Sequence, residues 1–280
     1  MTMPSEFDRA LHINWLGDER SMIGEVDLSA QWSIGGVLNG GLLMAVATRA
    51  AVDRCGREGQ HPHPVAWNSQ FPSAARPGPA QVAVSLIRQG RALTHVSVSI
   101  SQEGAERVRT LVTLGNLADL GETVYAAPPP APMPPPEQCI RSDRSVPAAK
   151  EVVLLDRLDL RLDPATAMWA LGAPSHEGRI RGWLRLADGR AIDVDTLPLL
   201  LDAMPPVAFD LGGQGWAPTV AFLGSVRAVP VDGWMRMEIT TSTVVGGLLE
   251  EDATIWDSTG QVVAHSRQIA GFRMAREGTA

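Results

Sequence analysis

The sequence predicts an α+β fold of two tandem halves, each a curved antiparallel sheet wrapped around a central helix. Three observations lead to this prediction: an apolar helical stretch precedes strands of alternating polarity, the same order of elements occurs twice, and a proline-rich tract separates the two occurrences. One helix followed by a run of antiparallel strands is an α+β pattern. Each sheet must bury one face, and the apolar helix of its half is available to cover it.

The first half contains one predicted helix and four long predicted strands. Residues 41–52 are apolar and alanine-rich with helical spacing, and Asn39-Gly40-Gly41 is a plausible cap. Apolar residues then alternate with polar ones, as is typical of half-buried antiparallel strands. The predicted strands are residues 65–71, 80–88, 93–101 and 107–114, after lead-in strands within residues 14–32.

The second half repeats this order. A helix is predicted at residues 195–207, with strands at residues 219–227, 234–242, 248–257 and 262–274 and lead-in strands within residues 152–186. Pro64 matches Pro218 and Gly104 matches Gly260, so the offset drifts only from 154 to 156 residues. This near-constant offset indicates a tandem duplication, with two unrelated α+β domains as the alternative.

The proline tract from Ala126 to Pro136 provides the domain boundary. Proline lacks an amide donor, so the tract predicts an extended spacer and not a helix or a central strand. We predict an N-terminal domain of residues 1–125, a linker of residues 126–146 and a C-terminal domain of residues 147–280.

Composition excludes several classes of protein. The chain has 280 residues, 45% hydrophobic and 20% charged, which is typical of a globular protein. A net charge of -7 without basic clusters argues against nucleic-acid binding. The N-terminus lacks the pattern of a secretory signal and the apolar runs are too short to span a bilayer, so we expect a cytoplasmic protein without a membrane contact. Serine-hydrolase, dinucleotide and P-loop motifs do not occur.

Several short motifs, in this order and spacing, resemble one family. They are the Gly-Gly entry into the first helix within residues 32–44, Gly90-Arg91, Asp195-Thr-Leu-Pro198, Ala217-Pro-Thr-Val220 and Ser266-Arg-Gln268. The chain is similar to the double-hotdog acyl-CoA thioesterases of the thioesterase II type. This resemblance implies a tandem hotdog fold and hydrolysis of a fatty or other acyl-CoA to a free acid and CoA, in lipid metabolism. It also implies no metal and no cofactor, because water is the nucleophile.

The resemblance assigns the catalytic role to an Asp, a Thr and a Gln that together position the water. The matching residues are Asp195, Thr219 and Gln268. Asp202 lies in the same predicted helix, but its separation from Thr219 is shorter than the family pattern, so Asp195 is preferred. Each has a simpler interpretation: Asp195 as a helix cap, Thr219 as an ordinary strand residue, and Gln268 as a polar group that burial would make costly unless it is paired.

The first half is expected to bind substrate without turning it over. Asn39, Gly40 and Gly41 hold the helix start, where backbone amides can bind an oxyanion. A further set, Trp32, Trp67 and Trp216, is predicted to flank an acyl tunnel. The basic or histidine residue often found before the first Gly-Gly of the family is replaced by Val37-Leu38-Asn39, which leaves the preferred substrate open.

Two other functions stay open, as does the assembly. A non-catalytic acyl-CoA or lipid-binding double hotdog would keep the tunnel without a productive water, and a hotdog hydratase would need an Asp/His pair at the helix start. His61 and His63 form a possible metal pair, but a solvated loop is the favoured interpretation. Exposed sheet edges favour a homo-oligomer.

Overall fold

The computed structural model of the chain describes residues 4–18, 21–56, 60–121, 123–126, 131–145, 149–215 and 217–274. The long central helix is α2, Gly40–Cys55, and the others are short: α1, Glu6–Ala10, and α3, Leu197–Leu200. Helix α2 begins at Asn39, whose side chain accepts a hydrogen bond from the amide of Leu42. Most of its residues are buried because it lies between its own sheet and the other half of the molecule.

The strands of the first half are β1 (Asn14–Trp15), β2 (Ile23–Leu28), β3 (Ser33–Ile34), β4 (Val37–Leu38), β5 (His63–Gln70), β6 (Gly78–Gln89), β7 (Thr94–Gln102) and β8 (Ala105–Gly115). The four long ones, β5 to β8, match the four predicted strands to within two residues at each end. Buried and exposed positions alternate along them, as the polarity pattern predicts. Helix α2 packs against the buried face of this group.

The strands of the second half are β9 (Ile140–Ser142), β10 (Leu158–Leu162), β11 (Arg179–Leu186), β12 (Thr219–Val226), β13 (Met235–Thr240), β14 (Val244–Val245), β15 (Leu248–Trp256) and β16 (Val262–Gly271). All strand pairs among the described residues are antiparallel, and the main sheet has the order β1-β2-β6-β7-β8-β5-β12-β16-β15-β13-β11-β10-β9. Strands β5 and β12 join the two halves, with Ser69 opposite Phe222. The α+β tandem hotdog prediction is confirmed.

The second central helix is much shorter than predicted. The sequence predicts a helix over residues 195–207, whereas only Leu197–Leu200 is α-helical, followed by a turn and a 3₁₀ segment at Val207–Leu211. Pro205 and Pro206 explain the difference, because proline offers no amide hydrogen and clashes with the preceding turn of a helix. The residues after α3 therefore form a compact loop and do not extend the helix.

Part of the predicted linker belongs to the C-terminal sheet. Strand β9 falls within residues 126–146 and pairs with β10, so the assignment of this whole range as a spacer is wrong. The proline-rich segment is also held against the sheet: the carbonyl of Ala131 accepts hydrogen bonds from Arg181 (3.2 Å) and Arg236 (2.5 Å), and that of Pro134 accepts one from the indole of Trp183 at 2.8 Å. The domain limits themselves stay a prediction.

Candidate active site

The start of helix α2 is occupied by a carboxylate from the other half of the molecule. The Oδ2 atom of Asp202 accepts a hydrogen bond from the amide of Gly41 at 2.8 Å and one from Nδ2 of Asn39 at 3.0 Å. The same Asn39 amide group donates to the backbone carbonyl of Asp202 at 2.8 Å. Because the N-terminus of a helix carries partial positive charge, this is a favourable place for an acidic side chain.

The two glycines permit this close approach. A Cβ atom built on Gly41 would lie 2.7 Å from the carbonyl oxygen of Leu199 and 3.0 Å from Cβ of Asp202. On Gly40 it would lie 3.0 Å from Oδ2 of Asp202 and 3.3 Å from the ring of Phe71. The Asn-Gly-Gly motif therefore lets the loop after α3 lie directly against the start of α2.

The pKa of the Asp202 carboxyl group is raised. Burial raises the pKa of this carboxyl group to about 7. Hydrogen bonds from the amides of Gly41 and Gly40 and from Asn39 favour the charged form and lower the pKa, but burial has the larger effect. The nearby Glu251 raises the same pKa further. Within the described ranges, Asp202 forms no ion pair with an arginine, lysine or histidine. A base with a pKa near neutrality is well matched to proton transfer at physiological pH.

A second group of polar side chains is linked by hydrogen bonds across β12, β16 and β15. Thr219 donates its hydroxyl hydrogen to Oε1 of Gln268 at 2.8 Å, and Nε2 of Gln268 donates to Oε1 of Glu251 at 2.5 Å. Oε2 of Glu251 accepts the amide hydrogen of Val207 at 2.8 Å. Gln268 and Glu251 are both buried and lie directly opposite each other in the sheet, so their side chains share one face.

The two groups adjoin each other around Phe71. The ring of this residue lies against Gly40, and its amide donates to the carbonyl of Val220, which is the neighbour of Thr219. Val207, which anchors Glu251, lies only five residues after Asp202. The electrostatic interaction between Glu251 and Asp202 agrees with this proximity. The site thus combines the helix start of the first half with a loop and three strands of the second half.

The structure does not bring Asp195 to this site. Its Oδ2 atom pairs with Nη1 of Arg49 at 3.1 Å, and Arg49 lies eight residues after Gly41, about 12 Å along the helix. Asp195 also interacts electrostatically with His63, at the opposite end of β5 from Phe71, and that strand is about 23 Å long. The expected convergence of Asp195 with Thr219 and Gln268 is therefore wrong. Helix α3 runs antiparallel to α2. Asp195, which precedes α3, therefore lies beside the middle of α2 at Arg49, and Asp202, which follows α3, lies beside the start of α2 at Gly41.

Nor does Asp195 cap α3. Thr196 holds the cap position without a side-chain cap bond, and its amide donates instead to Asp193 at 3.1 Å. Burial raises the pKa of Asp195, and the neighbouring Asp193 acts in the same direction, while Arg49 and Arg190 oppose both. Asp195 therefore belongs to a group of charged residues with Asp193, Arg49 and Arg190, away from Gly40 and Gly41.

Two of the three tryptophans that were predicted to flank an acyl tunnel, Trp32 and Trp67, are packed in the core. Trp32 is buried and packs edge-on against Phe7, with 5.8 Å between the ring centroids. Trp67 is buried against Gly224, where an added Cβ would lie 2.2 Å from the indole, and its Nε1 lies 3.2 Å from the sulfur of Met44. Both are core residues, because close packing encloses them on all sides. Trp216 lies outside the described residues.

The histidine loop is a packed feature and not a solvated one. His61 is buried, with Nδ1 2.8 Å from the hydroxyl of Thr94 and Nε2 3.0 Å from the carbonyl of Arg91. His63 accepts the amide hydrogen of Leu117 at 3.2 Å. Both nitrogens of His61 are thus engaged within the protein, which leaves neither for a metal.

Sequence reasoning weighed Asp202 but preferred Asp195, and it did not consider Glu251. Asp195 is the counterpart of Asn39, since both stand at the start of the central helix of their half at an offset of 156 residues. In a duplicated pair of antiparallel helices, the start of one helix lies beside the end of the other. This symmetry could have placed Asp202, which follows the last turn of α3, beside Gly41. The polarity pattern gave one indication of Glu251: a charged residue at a position that alternation assigns to the buried face.

Comparison with known proteins agrees with the fold. Residues 28–115 match the acyl-CoA thioesterase N-terminal domain, and residues 126–272 match the acyl-CoA thioesterase C-terminal domain. The chain belongs to the acyl-CoA thioesterase family. Uncharacterised proteins of Mycobacterium tuberculosis and Mycobacterium bovis are similar to this family member at 30% identity, covering 91% of this chain and 92% of theirs.

Solved structures extend the similarity of this thioesterase-family chain. A protein from Thermobifida fusca, described as a thioesterase II, has a TM-score of 0.87 and 32% identity and covers 98% of this chain and 99% of its own. A protein with a hot dog fold from Alicyclobacillus acidocaldarius has a TM-score of 0.82 and 18% identity, covering 98% of this chain and all of its own, 100%. The second likeness concerns the fold alone. Among the described residues, no helix of this family member is both long and apolar enough to cross a membrane.

Proposed function

We propose that the protein hydrolyses an acyl-CoA thioester to a free acid and CoA at the site between Asp202 and the pair Thr219 and Gln268. The observation that carries this proposal is the Asp202 carboxylate at the start of α2, hydrogen-bonded to the amide of Gly41 at 2.8 Å and without a cationic partner among the described residues. Burial raises the pKa of this group to about 7, which supports the proposal. Family membership supports thioester hydrolysis in general. Asp202 replaces Asp195 in the proposed catalytic set, while Thr219 and Gln268 keep their place in it.

In the first step a water molecule between Asp202 and Thr219 attacks the thioester carbonyl. The water gives one proton to the carboxylate of Asp202 and donates its other hydrogen to the oxygen of Thr219. Its remaining lone pair faces the carbonyl carbon, forms the new C–O bond and moves the carbonyl electrons onto oxygen. Two acceptors fix the direction of the water, which reduces the entropic cost of the attack.

The helix start then stabilises the oxyanion. Protonation of Asp202 removes the negative charge that holds the amide of Gly41, so the positive end of the α2 dipole faces the new oxyanion. Collapse of the tetrahedral intermediate re-forms the carbonyl and breaks the C–S bond. Asp202 returns its proton to the departing sulfur, which gives the free acid and the CoA thiol and restores the carboxylate.

Release of free thiol from a panel of acyl-CoAs of different chain length tests this function. We expect wild type to release thiol, and Asp202→Asn to lower kcat by at least about 100-fold, because an amide cannot accept the proton. Gln268→Ala and Thr219→Val should lower kcat by about 10- to 100-fold, since each removes part of the group that orients the water.

Asp195→Asn is the matched control, because the same change is made on the other side of α3, at the Arg49 pair. It should keep kcat within about threefold of wild type. Binding of acyl-CoA by wild type without thiol release across the whole panel would contradict hydrolysis and favour the binding protein instead. Loss of activity in Asp195→Asn with retention in Asp202→Asn would contradict the assignment of the base.

A further inference from the structure

Glu251 is a buried carboxylate within the apolar sheet of the second half. It lies on β15 with 6% of its surface exposed, and both of its oxygens accept hydrogen bonds from N–H groups, those of Val207 and Gln268. Within the part of the chain that the structure describes, no arginine, lysine or histidine pairs with it. Burying a charged group without a counter-ion is costly, so a purely structural role would be served better by a neutral residue.

We propose that Glu251 is a positioning residue whose carboxylate fixes the amide of Gln268 so that Thr219 presents an acceptor oxygen to the attacking water. This inference rests on the proposed function. It concerns a residue that acts through Gln268 and Thr219 and does not itself touch the thioester.

The direction of each hydrogen bond follows from what each group can do. Both oxygens of Glu251 accept N–H hydrogens, so Gln268 turns Nε2 towards Glu251 and therefore Oε1 towards Thr219. Burial raises the pKa of Glu251, and the N–H groups of Val207 and Gln268 act against this by favouring the carboxylate. Oε1 of Gln268 only accepts, so the hydroxyl hydrogen of Thr219 is committed to Gln268. The oxygen of Thr219 then has lone pairs but no hydrogen for a third partner. It can hold a hydrogen of the water, which a free hydroxyl would do only part of the time.

Val207 supplies the second constraint. Its amide occupies Oε2 of Glu251 and fixes the carboxylate in the plane that meets Gln268. Val207 begins the 3₁₀ segment directly after Pro205 and Pro206, within the loop that starts at Asp202. The prolines and this hydrogen bond together hold Asp202 and Gln268 in a fixed relation.

The charge of Glu251 also acts on Asp202. Like charges oppose ionisation, and the pKa of Asp202 is raised by Glu251 after the larger effect of burial. The other groups that face Asp202 come from helix α2: the amides of Gly40 and Gly41 and the side chain of Asn39, all of which favour the carboxylate. Along its own strand Glu251 is flanked by two acidic residues, Glu250, which accepts hydrogen bonds from Ser242, and Asp252, whose carboxylate pairs with Arg267 at 2.5 Å.

Substitution of Glu251 by Gln tests the proposal. The new amide cannot accept from both Val207 and Gln268, so the orientation of Gln268 is no longer fixed. We expect kcat to fall by about 10- to 100-fold while KM changes less than about threefold, because the water and not the acyl-CoA loses its partner. The acidic limb of the pH–rate profile should move to lower pH, since removal of a negative charge eases ionisation of Asp202.

Two variants serve as controls. Glu250→Gln changes the preceding residue, which accepts hydrogen bonds from Ser242, and should leave both kcat and the pH profile as in wild type. Glu251→Asp keeps the charge and should leave the acidic limb closer to its wild-type position than Glu251→Gln does. Glu251→Gln with kcat within threefold of wild type and an unmoved acidic limb would overturn the proposal.

An NMR measurement on wild type needs neither turnover nor a folded Glu251 variant. One Nε2 hydrogen of Gln268, assigned by its loss in Gln268→Ala, should resonate downfield and exchange slowly, because it is bound to a buried carboxylate. Two Nε2 hydrogens with the shifts of a free amide would overturn the proposal. If wild type shows the downfield hydrogen but releases no thiol, hydrolysis fails while the arrangement of Gln268 stands. If wild type and Glu251→Gln hydrolyse alike, the inference fails and hydrolysis stands.

Discussion

At the scale of the residue, the two aspartates on either side of α3 differ because their surroundings differ. Asp195 faces the guanidinium of Arg49, which favours its charged form, whereas Asp202 faces amides and another carboxylate. Burial is the largest effect on both, and at Asp202 it carries the pKa to about 7. A pKa near neutrality suits Asp202 to proton transfer at physiological pH.

The raised pKa of Asp202 predicts a pH dependence of stability. The folded pKa of about 7 lies above the ordinary value of 3.8, so this residue lowers the free energy of unfolding as pH rises from about 4 to about 7. Asp202→Asn removes this effect. Relative to wild type, the variant should therefore gain stability over that range, by at most about 4 kcal/mol. Chemical unfolding of both proteins at pH 5 and pH 8 measures the difference, and an equal difference at the two pH values would contradict the raised pKa.

The sequence predicted the contact between Thr219 and Gln268 but not the position of Asp202 at the start of α2. The family resemblance led us to expect that Thr219 and Gln268 meet, and they do: β12 pairs with β16, and Thr219 lies opposite Ala270, two residues after Gln268. The position of Asp202 depends on where α3 ends and on the antiparallel packing of two helices. The local pattern of polar and apolar residues predicts neither the end of α3 nor the packing of the two helices. The number of residues between Asp202 and Thr219 also does not predict the distance between them.

At the scale of the element, the start of helix α2 matters most. Its amides hold Asp202 and its glycines leave space for the loop after α3, while Pro205 and Pro206 end the second helix early enough to leave Asp202 in that loop. In the proposed site, the first half therefore contributes backbone amides and the side chain of Asn39, and the second half contributes Asp202, Thr219 and Gln268.

Gly41→Ala tests this packing. The added methyl group would lie 2.7 Å from the carbonyl oxygen of Leu199 and 3.0 Å from Cβ of Asp202, so the loop must move. We expect a loss of about 1–3 kcal/mol in the free energy of unfolding and a lower kcat. Gly40→Ala is the comparison, since its methyl group would meet only side-chain atoms of Asp202 and Phe71 at 3.0 Å or more and should cost less stability. Equal stability losses in the two variants would contradict the tighter packing at Gly41.

At the scale of the whole molecule, one sheet and one site are shared by both halves. Strands β5 and β12 pair along the join, α2 packs on α3, and the site needs Asn39 and Gly41 from one half and Asp202 from the other. The duplication and the fold class could be predicted, because the constant offset between matching residues and the alternation of polar and apolar residues can both be read from the sequence. The docking of the proline-rich segment could not, because it depends on the distant donors Arg181, Trp183 and Arg236.

Separation of the halves tests the shared architecture. Residues 1–125 and residues 126–280, produced apart, should each expose the edge of β5 or β12 and should aggregate or unfold. Produced together, they should form a folded pair that releases thiol from acyl-CoA, because the site is then complete. The readouts are circular dichroism, size-exclusion chromatography and thiol release. Activity of either half alone would contradict a site built from both.

The most direct test of the central claim is the pH–rate profile of thiol release by wild type and by Asp195→Asn. Because Asp202 must be ionised to accept the proton, we predict that kcat rises with pH through an apparent pKa near 7 in both proteins and that Asp202→Asn shows no such rise. A profile with an acidic limb near pH 4, or an Asp202→Asn variant that keeps wild-type activity and its limb, would contradict the assignment of Asp202 as the base.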